Sequence, residues 1–177
     1  MNKLAQYPLN GRSFRLGILG GGQLGRMLCQ AAIPYDVEVK VIDPDALSPA
    51  SQVCHEFVHG SFQDYDSVVQ FAQDLDALTV EIENVNIEAL EYLADKGLKI
   101  APGADVLRTI RDKGIQKQHY AQHDLPTMPF ELFEHADEVR VAVAEGRWKF
   151  PFVLKTRTGG YDGQGVMLVR DESELDQ

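Results

Sequence analysis

The stretch Lys155-Thr156-Arg157-Thr158-Gly159-Gly160-Tyr161-Asp162-Gly163-Gln164-Gly165 combines four glycines with a cation at its rim. Glycines let a backbone approach a ligand closely and turn its N–H groups toward an anion. Lys155 adds the compact positive charge that suits a phosphate. The spacing is not that of a Walker A loop, which needs Gly-Lys-Ser or Gly-Lys-Thr opening a helix. A plain hairpin turn accounts for the same glycines. A second cluster lies near the N-terminus, where Gly20, Gly22 and Gly25 fit GxGxxG and Asp43 follows at about the distance of a ribose-binding acid. That pattern points to a nucleotide or another phosphorylated ligand near a helix N-terminus. Tight strand–helix packing is its other use.

His55-Glu56-Phe57-Val58-His59 matches HExxH. A zinc protease needs that motif on a helix, with both histidines on one face a turn apart. Gly60 follows at once and Pro49 precedes closely, so the segment reads as a strand. A strand separates the two histidines by roughly 13 Å, too far for one zinc ion. No metal ligand set emerges from this chain.

The elements that must position these residues alternate. Phe14 to Leu19 reads as a strand, and residues 24–33 as a helix with Leu24, Met27, Leu28, Ala31 and Ala32 on one face. Val37 to Ile42 and Glu56 to Val58 are further strands. Asp64 caps a helix through Val68, Phe71, Ala72 and Leu75. Strands follow at 76–82 and 98–101, separated by a helix through Ile87, Leu90, Leu93 and Ala94 that Gly97 stops. The first 110 or so residues therefore form a mostly parallel sheet covered on both faces. Ligands bind such sheets at the C-terminal strand ends, where Gln23, Asp43 and Glu81 all fall; a solvated strand-end carboxylate is the plain reading of Glu81. From Leu107 a basic helical pattern carrying Arg108, Arg111, Lys113 and Lys117 runs to Leu125-Pro126. A strand at Phe130 to Phe133, a helix through Val139, Ala142 and Val143, the glycine-loop hairpin and a helix start at Asp171 to Glu174 complete the chain. The spacing predicts two domains, 1–110 and 111–177, the second an incomplete layer.

Composition narrows the partners. The 177 residues are 44% apolar and 25% charged, as in an ordinary globular protein, and the net charge is −10. That charge argues against nucleic acid or an anionic membrane as the main partner, while leaving room for a local phosphate site. Two cysteines without CxxC spacing, no apolar leader and no spanning run point to a cytoplasmic protein with reduced thiols.

Gly20-Gly21-Gly22-Gln23-Leu24-Gly25-Arg26-Met27, Val80-Glu81-Ile82-Glu83-Asn84-Val85, Asp112-Lys113 with Gln116-Lys117, and Thr158 to Gly165 occur in one order. Together they resemble the 5-(carboxyamino)imidazole ribonucleotide synthase family of ATP-grasp enzymes in purine biosynthesis, over about Phe14 to Arg170. The resemblance implies an α/β architecture: a Rossmann-like parallel-sheet pre-ATP-grasp domain, then the first part of an ATP-grasp domain. It implies an ATP-dependent carboxylating ligase acting on 5-aminoimidazole ribonucleotide and bicarbonate through carboxyphosphate, with Mg²⁺. It further implies a homodimer at full length and metal-binding acids later than Gln177. Lys113 and Lys155 would contact ATP phosphates, and the loop of Gly160, Tyr161, Asp162, Gly163, Gln164 and Gly165 would close over them. Gln23, Leu24 and Glu81 would meet the ribonucleotide, joined by Tyr161 and Gln164, with Asp162 as polar partner or base for the attacking amine. Catalysis would rest on Lys155 and Asp162. Gln164 departs from the family's usual Arg or Lys, keeping a donor but losing the charge. By this resemblance the chain is expected to lack synthase activity by itself and to carry a mobile glycine loop. Two other classes stay open at this point: an NAD-dependent oxidoreductase built on Gly20, Gly22, Gly25 and Asp43, and a noncatalytic nucleotide-binding module. The first leaves the loop at 158–165 and Glu81 without a role.

Overall fold

A computed structural model describes residues 13–160 and 164–176, in two compact units, Met1–Arg108 and Thr109–Gln177. In the first unit, short runs of apolar residues form β1 (Phe14–Leu19), β2 (Val37–Asp43), β3 (Glu56–His59), β4 (Ala77–Val80) and β5 (Lys99–Ala101). All pairings are parallel and the order is β3-β2-β1-β4-β5. The order reverses direction between β1 and β4, which opens a crevice at their C-terminal ends. Side chains alternate across the sheet, so Ile18, Val39 and Val41 join one core and Leu19, Ile42 and Leu78 the other.

Helices α1 (Gln23–Ala32), α2 (Tyr65–Phe71) and α3 (Ile87–Asp95) connect strands of the sheet, and α4 (Ala104–Arg111) follows β5. Asp64 caps α2 by accepting from Ser67 N at 2.8 Å, and Asn86 caps α3 by accepting from Ala89 N at 2.8 Å, each satisfying a donor the helix leaves open. Val68, Phe71, Leu90 and Leu107 bring α2, α3 and α4 onto one core.

The face of α1 departs from the expectation. Gly25, Cys29 and Ala32 are its buried residues, whereas Leu24 is 64% and Met27 53% exposed. The cause is steric. A Cβ on Gly25 would lie 2.8 Å from the Gly20 carbonyl oxygen, so the helix approaches β1 closely enough that only its small-residue stripe fits. Burial pushes the Cys29 thiol up to about 11, so it is an unreactive filler of that contact.

The basic pattern is two helices, α4 ending at Arg111 and, in the second unit, α5 (Lys113–Gln122), not one run to Leu125. Asp112 separates them by capping α5: its Oδ1 accepts from Gly114 N at 2.7 Å and Ile115 N at 3.1 Å. Residues 130–133 are not a strand; that extended segment has no ladder partner, and Glu131 instead accepts from Trp148 Nε1 at 2.6 Å. After α6 (Ala136–Ala144), β6 (Phe152–Lys155) and β7 (Val166–Val169) form the antiparallel hairpin. Residues Glu172–Asp176 form a 3-10 turn.

Candidate active site

At the crevice of the first unit, β1 ends in a turn that left-handed backbone requires: Gly20 has φ 102°. Glu81 N donates to Leu19 O at 2.8 Å, fixing the start of the β4 loop beside this turn. The Glu81 carboxylate then lies over the glycines. A Cβ on Gly22 would meet its Oε1 at 2.5 Å, and one on Gly20 its Oε2 at 2.9 Å. Gln23 and Leu24 open α1 with exposed side chains, and Gly22 caps the helix without a side-chain hydrogen bond. The first-turn N–H groups are thus uncapped by side chains beside an acid, an arrangement that can take phosphate on the amides and a hydroxyl or amine on Glu81. Asp43 does not join Glu81 in facing that space: its Oδ2 accepts from Gly21 N at 2.6 Å, its Oδ1 from Asp45 N at 2.8 Å, and it is 9% exposed.

The HExxH residues are spent locally. His55 Nδ1 accepts from Val39 N at 3.0 Å, and His59 Nε2 lies 2.9 Å from Pro44 O. Burial pushes the Glu56 carboxyl up, but hydrogen bonds and charge from Lys40 and Arg15 outweigh this and hold it below its ordinary value. Among the described residues, no group of three or more His, Cys, Asp or Glu side chains could hold a metal ion.

In the second unit, Lys155 ends β6 opposite Val166, at the mouth of the glycine loop. Thr156 N donates to Gly165 O at 2.9 Å and closes the loop's neck. Gly165 has φ 69°, and a Cβ there would collide with Thr156 Oγ1; a Cβ on Gly160 would come within 2.6 Å of Gln164 O. These glycines therefore let the loop fold tightly on itself. Lys113, the first residue of α5, reaches the loop: its Nζ donates to Gly160 O at 3.1 Å. Gln164 is exposed. Tyr161, Asp162 and Gly163 lie outside the described residues.

Two residues that no spacing pairs hold this arrangement. Arg157 Nη2 donates to Asp112 Oδ2 at 2.8 Å and its Nε to Asp112 Oδ1 at 3.2 Å, while Lys113 N donates to Arg157 O at 2.9 Å. The fork ties the loop base to the N-terminus of α5. They are 45 positions apart, and no local pattern announces the pair. The Arg157 hydrogen bond holds the Asp112 carboxyl below its ordinary value, against a smaller opposing effect of burial. A lowered folded-state value means the stabilisation is complete above about pH 4, the usual carboxylate value, and is lost as pH falls through the depressed one. Asp112→Asn should therefore lower the unfolding midpoint relative to the wild type at neutral pH, and the difference should shrink as the pH falls below about 4. A difference independent of pH would show that the charge contributes nothing.

Fold and loop together define a doubly wound pre-ATP-grasp domain followed by the opening of an ATP-grasp domain. Family models agree: the ribonucleotide synthetase preATP-grasp domain matches residues 14–111 and the ATP-grasp domain residues 118–177. The chain belongs to the ribonucleotide synthetase preATP-grasp family. It is 36% identical over 162 residues to the N5-carboxyaminoimidazole ribonucleotide synthase of Staphylococcus epidermidis, covering 92% of this chain and 42% of that protein. The crystal structure of the Aspergillus clavatus carboxyaminoimidazole ribonucleotide synthase complexed with ATP superposes with a TM-score of 0.84 at 36% identity, over 93% of this chain and 43% of that one. The A. clavatus enzyme in complex with ADP and 5-aminoimidazole ribonucleotide gives 0.82 at 34% identity, over 93% and 42%. The chain thus spans about two fifths of the length of the relatives it matches. No helix among the described residues is long and apolar enough to cross a membrane.

Proposed function

We propose that this chain supplies the ribonucleotide crevice and the ATP-phosphate loop of an enzyme that carboxylates 5-aminoimidazole ribonucleotide with ATP and bicarbonate. In this reading a bicarbonate oxygen takes the γ-phosphoryl group and ADP leaves. The amine of the ribonucleotide then attacks the carboxyphosphate carbon, losing a proton as phosphate departs. Phosphoryl transfer depends chiefly on positioning and charge neutralisation, which is the part assigned to Lys113 and Lys155. Gly160, Gly163, Gln164 and Gly165 cradle the phosphates through the loop backbone. Gln23, Leu24 and Glu81 bind the ribonucleotide, with Tyr161 and Gln164 beside it and Asp162 receiving the amine proton. The domain boundary falls near residue 110.

The observation that carries this reading is the meeting of Lys113 with Gly160 at 3.1 Å, because it gathers two lysines from distant segments at one glycine loop. A dinucleotide-binding reading gives that loop nothing to do, and the inward-turned Asp43 removes its ribose contact. Further parts rest on the family resemblance alone: Mg²⁺ held by ligands outside the described residues, and a cytoplasmic homodimer as the working form. Titration of the ¹⁵N-labelled chain tests the crevice. 5-Aminoimidazole ribonucleotide should shift the amides of Gly22, Gln23 and Leu24, and NADH should not. NADH binding without ribonucleotide binding would overturn the assignment.

A further inference from the structure

The acid that ends β2 sits where a nucleotide ribose is bound in related sheets, yet both its oxygens are turned into the protein. We infer that Asp43 is a positioning residue: it holds the first glycine turn in the shape that presents the α1 amides to a phosphate. This rests on the reading of that turn as the ribonucleotide site.

Three bonds tie the turn to β2 and the segment after it. Gly20 N donates to Ile42 O at 3.0 Å, Ala50 N donates to Gly21 O at 2.8 Å, and Gly21 N donates to Asp43 Oδ2 at 2.6 Å. The first two are main-chain bonds that any sequence could form. The third depends on one side chain. Asp43 Oδ1 simultaneously accepts from Asp45 N at 2.8 Å, so the carboxylate joins the turn to the start of the following loop. Its two oxygens each face an N–H, which only an acceptor-only group satisfies. Asparagine would present its NH₂ to one of those donors and leave it unpaired in a buried place.

Side chains crowd the turn on one side at Gly21. A Cβ on Gly21 would lie 2.6 Å from Ser48 Oγ and 3.2 Å from Asp43 Cβ. Ser48 is 2% exposed, and its hydroxyl has no hydrogen-bond partner, so it packs beside the turn without holding it. The division of labour among the amides follows. Gly20 and Gly21 spend theirs on β2 and Asp43, while the amides that open α1 keep no side-chain acceptor. A turn that loses the Gly21 bond is free to rotate its peptide planes, and the α1 amides lose their common aim.

Asp43→Asn and Ser48→Ala, made separately in the full chain, test this. Both substitutions lie against Gly21, but only the first removes an acceptor from it. D43N should weaken binding of 5-aminoimidazole ribonucleotide about tenfold or more and speed hydrogen exchange of the Gly21 amide by a similar factor. S48A should leave both near the wild-type values. Asp43→Ala, which leaves the Gly21 amide no side-chain acceptor, gives the same comparison if D43N is too unstable to purify. Unchanged affinity in D43N overturns the positioning role, as does an equal loss in S48A, which would make general loop packing the cause. A wild-type chain that does not bind the ribonucleotide refutes the reading of the site itself, and the positioning role falls with it.

Discussion

Lys155→Met should reduce ATP-dependent turnover by about a hundredfold, the loss seen when one preorganised donor to a developing charge is removed. The setting for this test is a chimera in which the chain is joined to the part of the S. epidermidis synthase that follows its matched segment. Methionine keeps the length and the apolar stem of lysine while removing the ammonium. The Lys155 side chain is exposed at the end of β6, and its backbone pairing with Val166 survives the change. Folding should therefore be nearly untouched, and the whole effect should fall on phosphoryl transfer. Lys113, held at the same loop by Gly160 O, can neutralise part of the phosphate charge, so residual turnover is expected rather than none. Near-normal turnover would mean that Lys155 is a structural strand residue.

Gly25→Ala is the second large effect, and it acts through the fold. The added Cβ would stand 2.8 Å from the Gly20 carbonyl oxygen, a backbone atom that cannot swing aside as a flexible side chain can. Either α1 lifts from β1 or the turn deforms. Overpacking of this kind costs about 1–3 kcal/mol, read as a lowered urea midpoint. The same displacement moves the amides that open α1, so ribonucleotide affinity should fall as well. A midpoint and an affinity both equal to wild type would show that the helix has slack at Gly25, and that its small stripe is incidental.

How much of this was legible in the sequence follows from the range of each interaction. The strands of the parallel sheet, the cap at Asp64 and the alternation that dictates that sheet are local or periodic, and they read correctly. The face of α1 read wrongly because Leu24, Met27 and Leu28 form the more apolar stripe, whereas a close approach selects small residues. Gly25, Cys29 and Ala32, at spacings of four and three, were the available signal. The break at Asp112 was also available, since an Asp two residues before a glycine within a helical pattern can cap a new helix. At residues 130–133 the β-like composition met no partner strand, and propensity without a ladder does not make a strand.

The site divides in the same way. Both glycine motifs, Lys113, Lys155 and Glu81 announce themselves by type and position, and β1–β4 pairing brings Glu81 onto the first turn. The inward orientation of Asp43 depends on side-chain torsions that no spacing encodes. The Arg157–Asp112 fork joins residues 45 positions apart, and no periodicity or spacing pairs them. The residues proposed to meet a ligand stand out by type, whereas the contacts that hold them in place do not.

The most direct test is phosphate release by the chimera. The proposed carboxylation requires ATP, bicarbonate and 5-aminoimidazole ribonucleotide together for release, and release should be lost when any one is omitted. Release that continues unchanged without the ribonucleotide, from a folded chimera, would contradict it.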